Sequence, residues 1–176
     1  MRNPKKKFAK IYDKLVDKIY RFVFLKVGSE EVAEDLTAQV FAKGWERFST
    51  GEDIRNPSAY LYQMARAEIA NHFRQNSKFK LVSAETNQLA DPQPGIEERQ
   101  QGQSEIEALR TCLAKLNDDY QNVLIWRYLD GYSNKEIARM LEKSEGAVRV
   151  MLHRGLKELR QKMENNEENN QNRAIF

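Results

Sequence analysis

The chain has 176 residues, 40% of them apolar and 31% charged, enough for one ordinary soluble domain or two very small ones. Its 29 Lys and Arg against 26 Asp and Glu leave a net charge of +3, too small to identify a polyanionic partner, so the placement of the charges has to decide. A single cysteine, Cys112, excludes an internal disulfide framework and any zinc site built of several thiolates.

Met1 to Lys7 is basic but leads into no apolar signal-peptide core, and apolar runs such as Phe22-Val23-Phe24-Leu25 are far shorter than a membrane span. A cytoplasmic protein with no membrane insertion is expected. Phe8, Ile11, Tyr12, Leu15, Ile19, Phe22 and Val23 recur at three- and four-residue steps, which predicts a first helix from about Phe8 to Lys26. Gly28 ends it, and Ser29 caps a second helix with Glu30 and Glu31 in the first turn, where the helix dipole favours acids. Val32, Leu36, Val40, Gly44 and Phe48 form that helix's stripe, with Phe41 and Trp45 beside it. After a loop from Ser49, Asn56-Pro57 supplies a cap and a first helical residue for a third helix. Its inner face is read as Leu61, Ala65, Ile69 and Phe73, and its other face is polar and basic.

Helical periodicity then lapses. The stretch contains Asp91-Pro92-Gln93-Pro94-Gly95, and between Glu85 and Glu107 the acids Glu85, Asp91, Glu97, Glu98, Glu105 and Glu107 face only Arg99. It reads as an acidic, flexible linker, which either is simply solvated or imitates nucleic acid. Periodicity resumes at Ile106, Leu109, Leu113 and Leu116 and continues through Val123, Leu124, Trp126, Tyr128 and Leu129 to a break at Gly131. Ser133-Asn134-Lys135-Glu136 is a capping box for a short helix with Ile137, Ala138 and Leu141. Ser144 caps a last helix with Val148, Met151, Leu152, Leu156 and Leu159, and the Asn- and Glu-rich end is expected to be disordered. The fold class is therefore all-α: a three-helix bundle over residues 1–78, a linker over 79–104, a second small bundle over 105–163 and a tail over 164–176.

Nothing in the chain carries catalysis. The only histidines, His72 and His153, sit among basic residues, and no metal-binding or phosphate-loop spacing occurs, so neither enzymatic activity nor a cofactor is expected. The chemistry lies in basic helical faces. From Lys135 to Lys162 there are eight bases (Lys135, Arg139, Lys143, Arg149, Arg154, Lys157, Arg160, Lys162) and four acids (Glu136, Glu142, Glu145, Glu158). A solvated amphipathic hairpin would carry the same charge, but two successive serine caps with the small Ala138 at the crossing are the parts of a DNA-reading helix-turn-helix. From Arg55 to Lys80 five bases (Arg55, Arg66, Arg74, Lys78, Lys80) accompany one acid, Glu68, with Tyr60, Tyr62 and Phe73 interleaved. Cations and aromatic faces together suit single-stranded nucleic acid, although aromatics at helical spacing are more often core.

Val32-Ala33-Glu34-Asp35-Leu36-Thr37-Ala38-Gln39-Val40-Phe41, then Trp45 and Ala59-Tyr60-Leu61-Tyr62-Gln63-Met64-Ala65-Arg66, resemble region 2 of the extracytoplasmic-function (ECF) group of sigma-70 factors. Asp130-Gly131-Tyr132-Ser133-Asn134-Lys135-Glu136-Ile137-Ala138, Ser144-Glu145-Gly146-Ala147-Val148-Arg149 and His153-Arg154 are similar to region 4 of the same group. The resemblance implies a promoter-recognition subunit with core RNA polymerase and promoter DNA as partners, and an anti-sigma factor as a further one. It implies that Asp35, Leu36, Gln39, Val40 and Phe41 dock on polymerase. It places Arg55, Asn56, Tyr60, Gln63, Arg66, Asn71 and Arg74 at the single strand of the −10 element. Ser144, Glu145, Arg149, Val150, His153, Arg154 and Lys157 would meet the −35 element. Where the family often has an Asn that helps hold a flipped base, this chain has Ala67, so Asn71 or the loop from Ser49 to Asn56 would have to assist. Apart from the resemblance, a stand-alone helix-turn-helix regulator is the alternative.

Overall fold

The computed structural model describes residues 4–52, 54–85 and 101–173. Seven α-helices and one π-helical turn follow in chain order: α1 (Pro4–Val27), α2 (Glu30–Ser49), α3 (Pro57–Glu85), α4 (Gln101–Ala114), α5 (Asp118–Leu124), the π-turn (Ile125–Leu129), α6 (Asn134–Leu141) and α7 (Glu145–Arg173). The chain caps most of these helices with its own short polar side chains. The Ser29 hydroxyl accepts from the Val32 amide at 3.4 Å and Asn56 Oδ1 from the Ala59 amide at 3.1 Å. Asn117 Oδ1 accepts from the Tyr120 amide at 2.8 Å and opens α5. At α6 the expected capping box is complete: Ser133 Oγ accepts from the Glu136 amide at 3.2 Å, and the Ser133 amide donates to Glu136 Oε2 at 2.8 Å.

Three helices, α1 to α3, enclose the first core. Phe8 lies 5.4 Å, centroid to centroid, from both Trp45 and Phe48, and Leu15, Ile19, Val40, Leu61 and Ala65 are buried beside them. At Gly44 a Cβ would stand 2.9 Å from Leu61 Cδ2, so the missing side chain is what lets α2 and α3 cross there. The second bundle packs α5 and α6 on α7, with Val123, Leu124, Ile137, Ala138, Val148 and Leu152 inside. Gly155 plays the corresponding part, its Cβ position lying 3.2 Å from Tyr120 Cβ.

The sequence left the placement of the two bundles open, and the structure packs them together. Trp126, 1% exposed, stacks on Phe22 of α1 at 5.9 Å and meets Tyr62 of α3 edge-on at 5.3 Å. Tyr132 joins Tyr62 at 5.9 Å, so the aromatic seam draws on both halves. The π-turn helps to form it: the Asp130 amide donates to the Ile125 carbonyl at 3.0 Å, and the carboxyl of Asp130 is buried.

Helix limits differ from the sequence expectations at three places. α3 continues to Glu85 and α4 begins at Gln101, so the expected linker of 79–104 is shorter by a helical stretch at each end. Residues 78–90 contain no Gly or Pro to stop a helix; the Pro- and Gly-bearing acidic stretch falls within 86–100, outside the described residues. α7 runs to Arg173, through most of the segment expected to be disordered, again without a breaker and with Glu and Gln among its residues. The apolar pattern from Ile106 to Leu129 belongs to two helices and a π-turn because Asn117 starts a new helix.

Candidate nucleic-acid interface

The last two helices present a docking face for a DNA groove. Between them Glu142 adopts a left-handed conformation (φ 54°), uncommon for a residue with a Cβ, and it makes the sharp reversal from α6 into α7. Ser144 Oγ then accepts from the Ala147 amide at 3.1 Å and fixes the start of α7. From there Val148 and Leu152 turn inward, while Glu145, Arg149, Val150, His153, Arg154 and Lys157 are exposed. Ser144, Glu145, Arg149, Val150, His153, Arg154 and Lys157 therefore come together where the sequence placed them, along one accessible stretch of the helix. Val150, 48% exposed, is an apolar element suited to a thymine methyl.

The α3 candidates do not form one surface. Asn56 is engaged as the cap of α3. Gln63 and Arg66 line a cleft whose opposite wall is Asp119, Leu141, Glu142 and Lys143 of the second bundle. Asn71 lies elsewhere, in the groove between α2 and α3, and its Oδ1 accepts from Arg74 at 2.7 Å. Tyr60 is half-buried and Arg55 exposed. Of the three interleaved aromatics, Tyr62 is 1% exposed and belongs to the seam between the bundles, which removes it from any stacking surface in this arrangement. Phe73 is 47% exposed and lies against His72 rather than on the inner face expected of it.

The docking candidates on α2 divide by face. Asp35 and Gln39 are exposed and line the α2–α3 groove with Asn71, His72 and Gln75; Lys43 bridges that groove to Glu68 at 2.6 Å. Leu36, Val40 and Phe41 are 6%, 0% and 5% exposed, so they hold α2 in the core instead of offering apolar contacts to a partner. Their four-residue spacing reports the bundle, and only the polar residues beside them are accessible.

Charged contacts that sequence reasoning missed join the two bundles. The Lys26 ammonium is bonded to Asp118 Oδ1, and Arg66 Nη2 lies 3.2 Å from Asp118 Oδ2 and 3.9 Å from Asp119 Oδ1. Burial pushes the Asp118 carboxyl up, but the hydrogen bond and charge of Lys26, with Asn122 and Arg66, outweigh it and hold the group below the usual carboxylate range. Tyr62 donates to Asp130 Oδ2 at 2.6 Å, and Arg21 Nη1 stands 3.6 Å from Oδ1. Burial raises the Asp130 carboxyl, opposed by the Tyr62 bond and by the charges of Arg21 and Lys18. Burial, with the adjacent carboxylate, also raises the Tyr62 phenol. The available signal was local: Asn117-Asp118-Asp119 is a cap followed by first-turn acids.

Comparison with known proteins matches Sigma-70 region 2 over residues 11–79 and Sigma-70 region 4 over residues 106–159. The chain is 31% identical over 163 residues to the ECF RNA polymerase sigma factor BldN of Streptomyces coelicolor, an alignment covering 86% of this chain and 58% of BldN. It is 28% identical over 162 residues to the ECF RNA polymerase sigma factor SigX of Bacillus subtilis, covering 89% of this chain and 84% of SigX. Its fold is similar to that of the sigma factor RpoE solved in complex with the anti-sigma factor NepR from Bartonella quintana, with a TM-score of 0.69 and 19% identity over 90% of this chain and 98% of that one.

Proposed function

The chain belongs to the ECF group of the sigma-70 family, and on that premise we propose that it directs bacterial core RNA polymerase to promoters and assists opening of the −10 element. The observation that carries this reading is the order of the two matched regions, 2 then 4, on one chain that ends in a capped basic recognition helix. The protein performs no chemistry of its own and acts in the cytoplasm, where polymerase is. No helix among the described residues is long and apolar enough to cross a membrane. An anti-sigma factor is the further partner in this reading. Asp35 and Gln39 supply the accessible polar contacts to polymerase, and Gln63, Arg66 and Arg55 the contacts to the single strand.

The test is capture of core polymerase by the tagged full chain. Wild type is expected to retain it stoichiometrically. Asp35→Arg, which reverses an exposed charge without touching the core, is expected to weaken capture at least about tenfold, roughly 1.4 kcal/mol. A wild-type chain that captures no polymerase yet binds a DNA site unaided would replace this reading with that of a stand-alone regulator.

The recognition helix carries a separate expectation. With polymerase present, Arg149→Ala should cost about 1–3 kcal/mol at one base position of the −35 element if its guanidinium is bidentate to a guanine. Promoter-variant binding assays read this out. An equal loss on every sequence would make Arg149 a phosphate contact.

A further inference from the structure

The Arg66 guanidinium is needed by the proposed strand contact and is already occupied, by carboxylates from the other half of the chain. Asp118 and Asp119 open α5 and face α3, one 3.2 Å and the other 3.9 Å from Arg66 Nη2. Two carboxylates before one guanidinium reproduce the charge and oxygen geometry of a phosphate. Asp118 is engaged twice, since its other oxygen takes the Lys26 ammonium, whose side chain is only 4% exposed. Beyond Arg66, the α6–α7 turn stands across the cleft that Gln63 lines, leaving no open run along this face of α3 for a nucleotide chain.

A second contact, away from that cleft, closes the same arrangement. The Asp130 carboxyl is inaccessible and accepts from the Tyr62 phenol at 2.6 Å. The backbone around it is tied to α1: Lys18 Nζ donates to the Asp130 carbonyl at 2.6 Å and Arg21 Nη1 to the Leu129 carbonyl at 3.0 Å. The groups facing Asp130 are thus Tyr62 of α3, Lys18 and Arg21 of α1, and Tyr132 of its own segment. A buried carboxyl held by a phenol from the other bundle is costly to break from one side, because the partner left behind is unsatisfied.

We propose that this packing is an autoinhibitory contact, in which Asp118 and Asp119 occupy Arg66 as an internal phosphate mimic and the Tyr62–Asp130 bond latches the two halves shut. The inference rests on the reading of α3 as the single-strand surface. The free chain is closed and binds single strands weakly; separation of the halves uncovers Arg66 and Gln63. The acidic character that the sequence analysis associated with the linker has its structural counterpart here, at the start of α5.

The experiment uses the full chain in two variants, Asp118→Asn/Asp119→Asn and Tyr62→Phe. The second leaves both acids and the net charge unchanged and keeps the aromatic packing. Asp13→Asn/Asp17→Asn, at exposed positions of α1, removes the same charge as the first variant without touching the contact. Far-UV circular dichroism verifies helicity, small-angle scattering reports the radius of gyration, and anisotropy reports binding of a fluorescein-labelled mixed-sequence single-stranded 20-mer. The expected result is an increased radius and at least fivefold tighter single-strand binding for the double Asn variant, with a smaller change of the same sign for Tyr62→Phe. The control should change affinity less than twofold. Equal gains in the control and the double Asn variant, or an expanded chain with unchanged affinity, would overturn the proposal. So would a chain that stays compact in both variants. Polymerase capture run in parallel separates the two readings. If wild type and variants all fail to capture polymerase, the sigma reading fails; if all capture it while strand binding is unmoved, only the autoinhibitory contact fails.

Discussion

Trp126→Ala is expected to cost about 3–5 kcal/mol and to separate the unfolding of the two bundles into distinct transitions. The indole is 1% exposed and is shared between the halves: it stacks on Phe22 at an interplanar angle of 16° and meets Tyr62 at 64°. Truncation to a methyl removes the largest fully buried side chain and leaves a cavity that Phe22, Tyr62 and Tyr132 can fill only by breaking their own packing. Trp126 Nε1 has no hydrogen-bond partner among the described residues, so Trp126→Phe removes an unsatisfied donor along with some volume and is expected to cost much less. Urea titrations followed by circular dichroism and by tryptophan emission from Trp45 would read both the loss and the coupling. A loss below about 1 kcal/mol with one coincident transition would show that the seam contributes little.

Much of the local architecture was legible because it is local. Ser29, Asn56, Ser133 and Ser144 each bond an amide three residues on, and such a pairing needs only a short polar side chain in the right place. The exposed face of α7 was legible for the same reason, since 3.6-residue periodicity separates Arg149 and Arg154 from Val148 and Leu152 without reference to the rest of the chain. The seam was not legible. Phe22, Tyr62 and Trp126 are distant in sequence, and nothing near any of them indicates the other two. Tyr62 therefore looked like a base-stacking aromatic, and Leu36, Val40 and Phe41 like partner contacts, although an apolar stripe facing a neighbouring helix has the same spacing as one facing another protein. Gly155 shows a related limit. A glycine within a helix reads as a weakness until its partner, Tyr120 at 3.2 Å, is known.

The second large effect is expected at Ile137. This residue is 0% exposed between α6 and α7, and Ile137→Ala should destabilise the chain by about 2–5 kcal/mol, against about 0.5–1.5 kcal/mol for Ile137→Val. The loss should fall unevenly. Eight residues of α6 are too few to be helical alone, so the capping box at Ser133 and the apolar contact of Ile137 with its neighbours together keep that helix formed. Once α6 loosens, Val148 and Leu152 lose part of the surface they are buried against, and the N-terminal turns of α7, which carry Arg149, lose their fixed orientation. Hydrogen exchange at the Val148 and Leu152 amides should therefore accelerate more than at Leu15 or Ile19 in α1, whose packing is distant. In polymerase-bound binding assays, discrimination among −35 sequences should fall further than total DNA affinity, because phosphate contacts tolerate a mobile helix and bidentate base contacts do not. Uniform acceleration of exchange in both bundles would show instead that the seam through Trp126 makes the molecule one cooperative unit, and that the recognition helix is only as stable as the closed state that holds it.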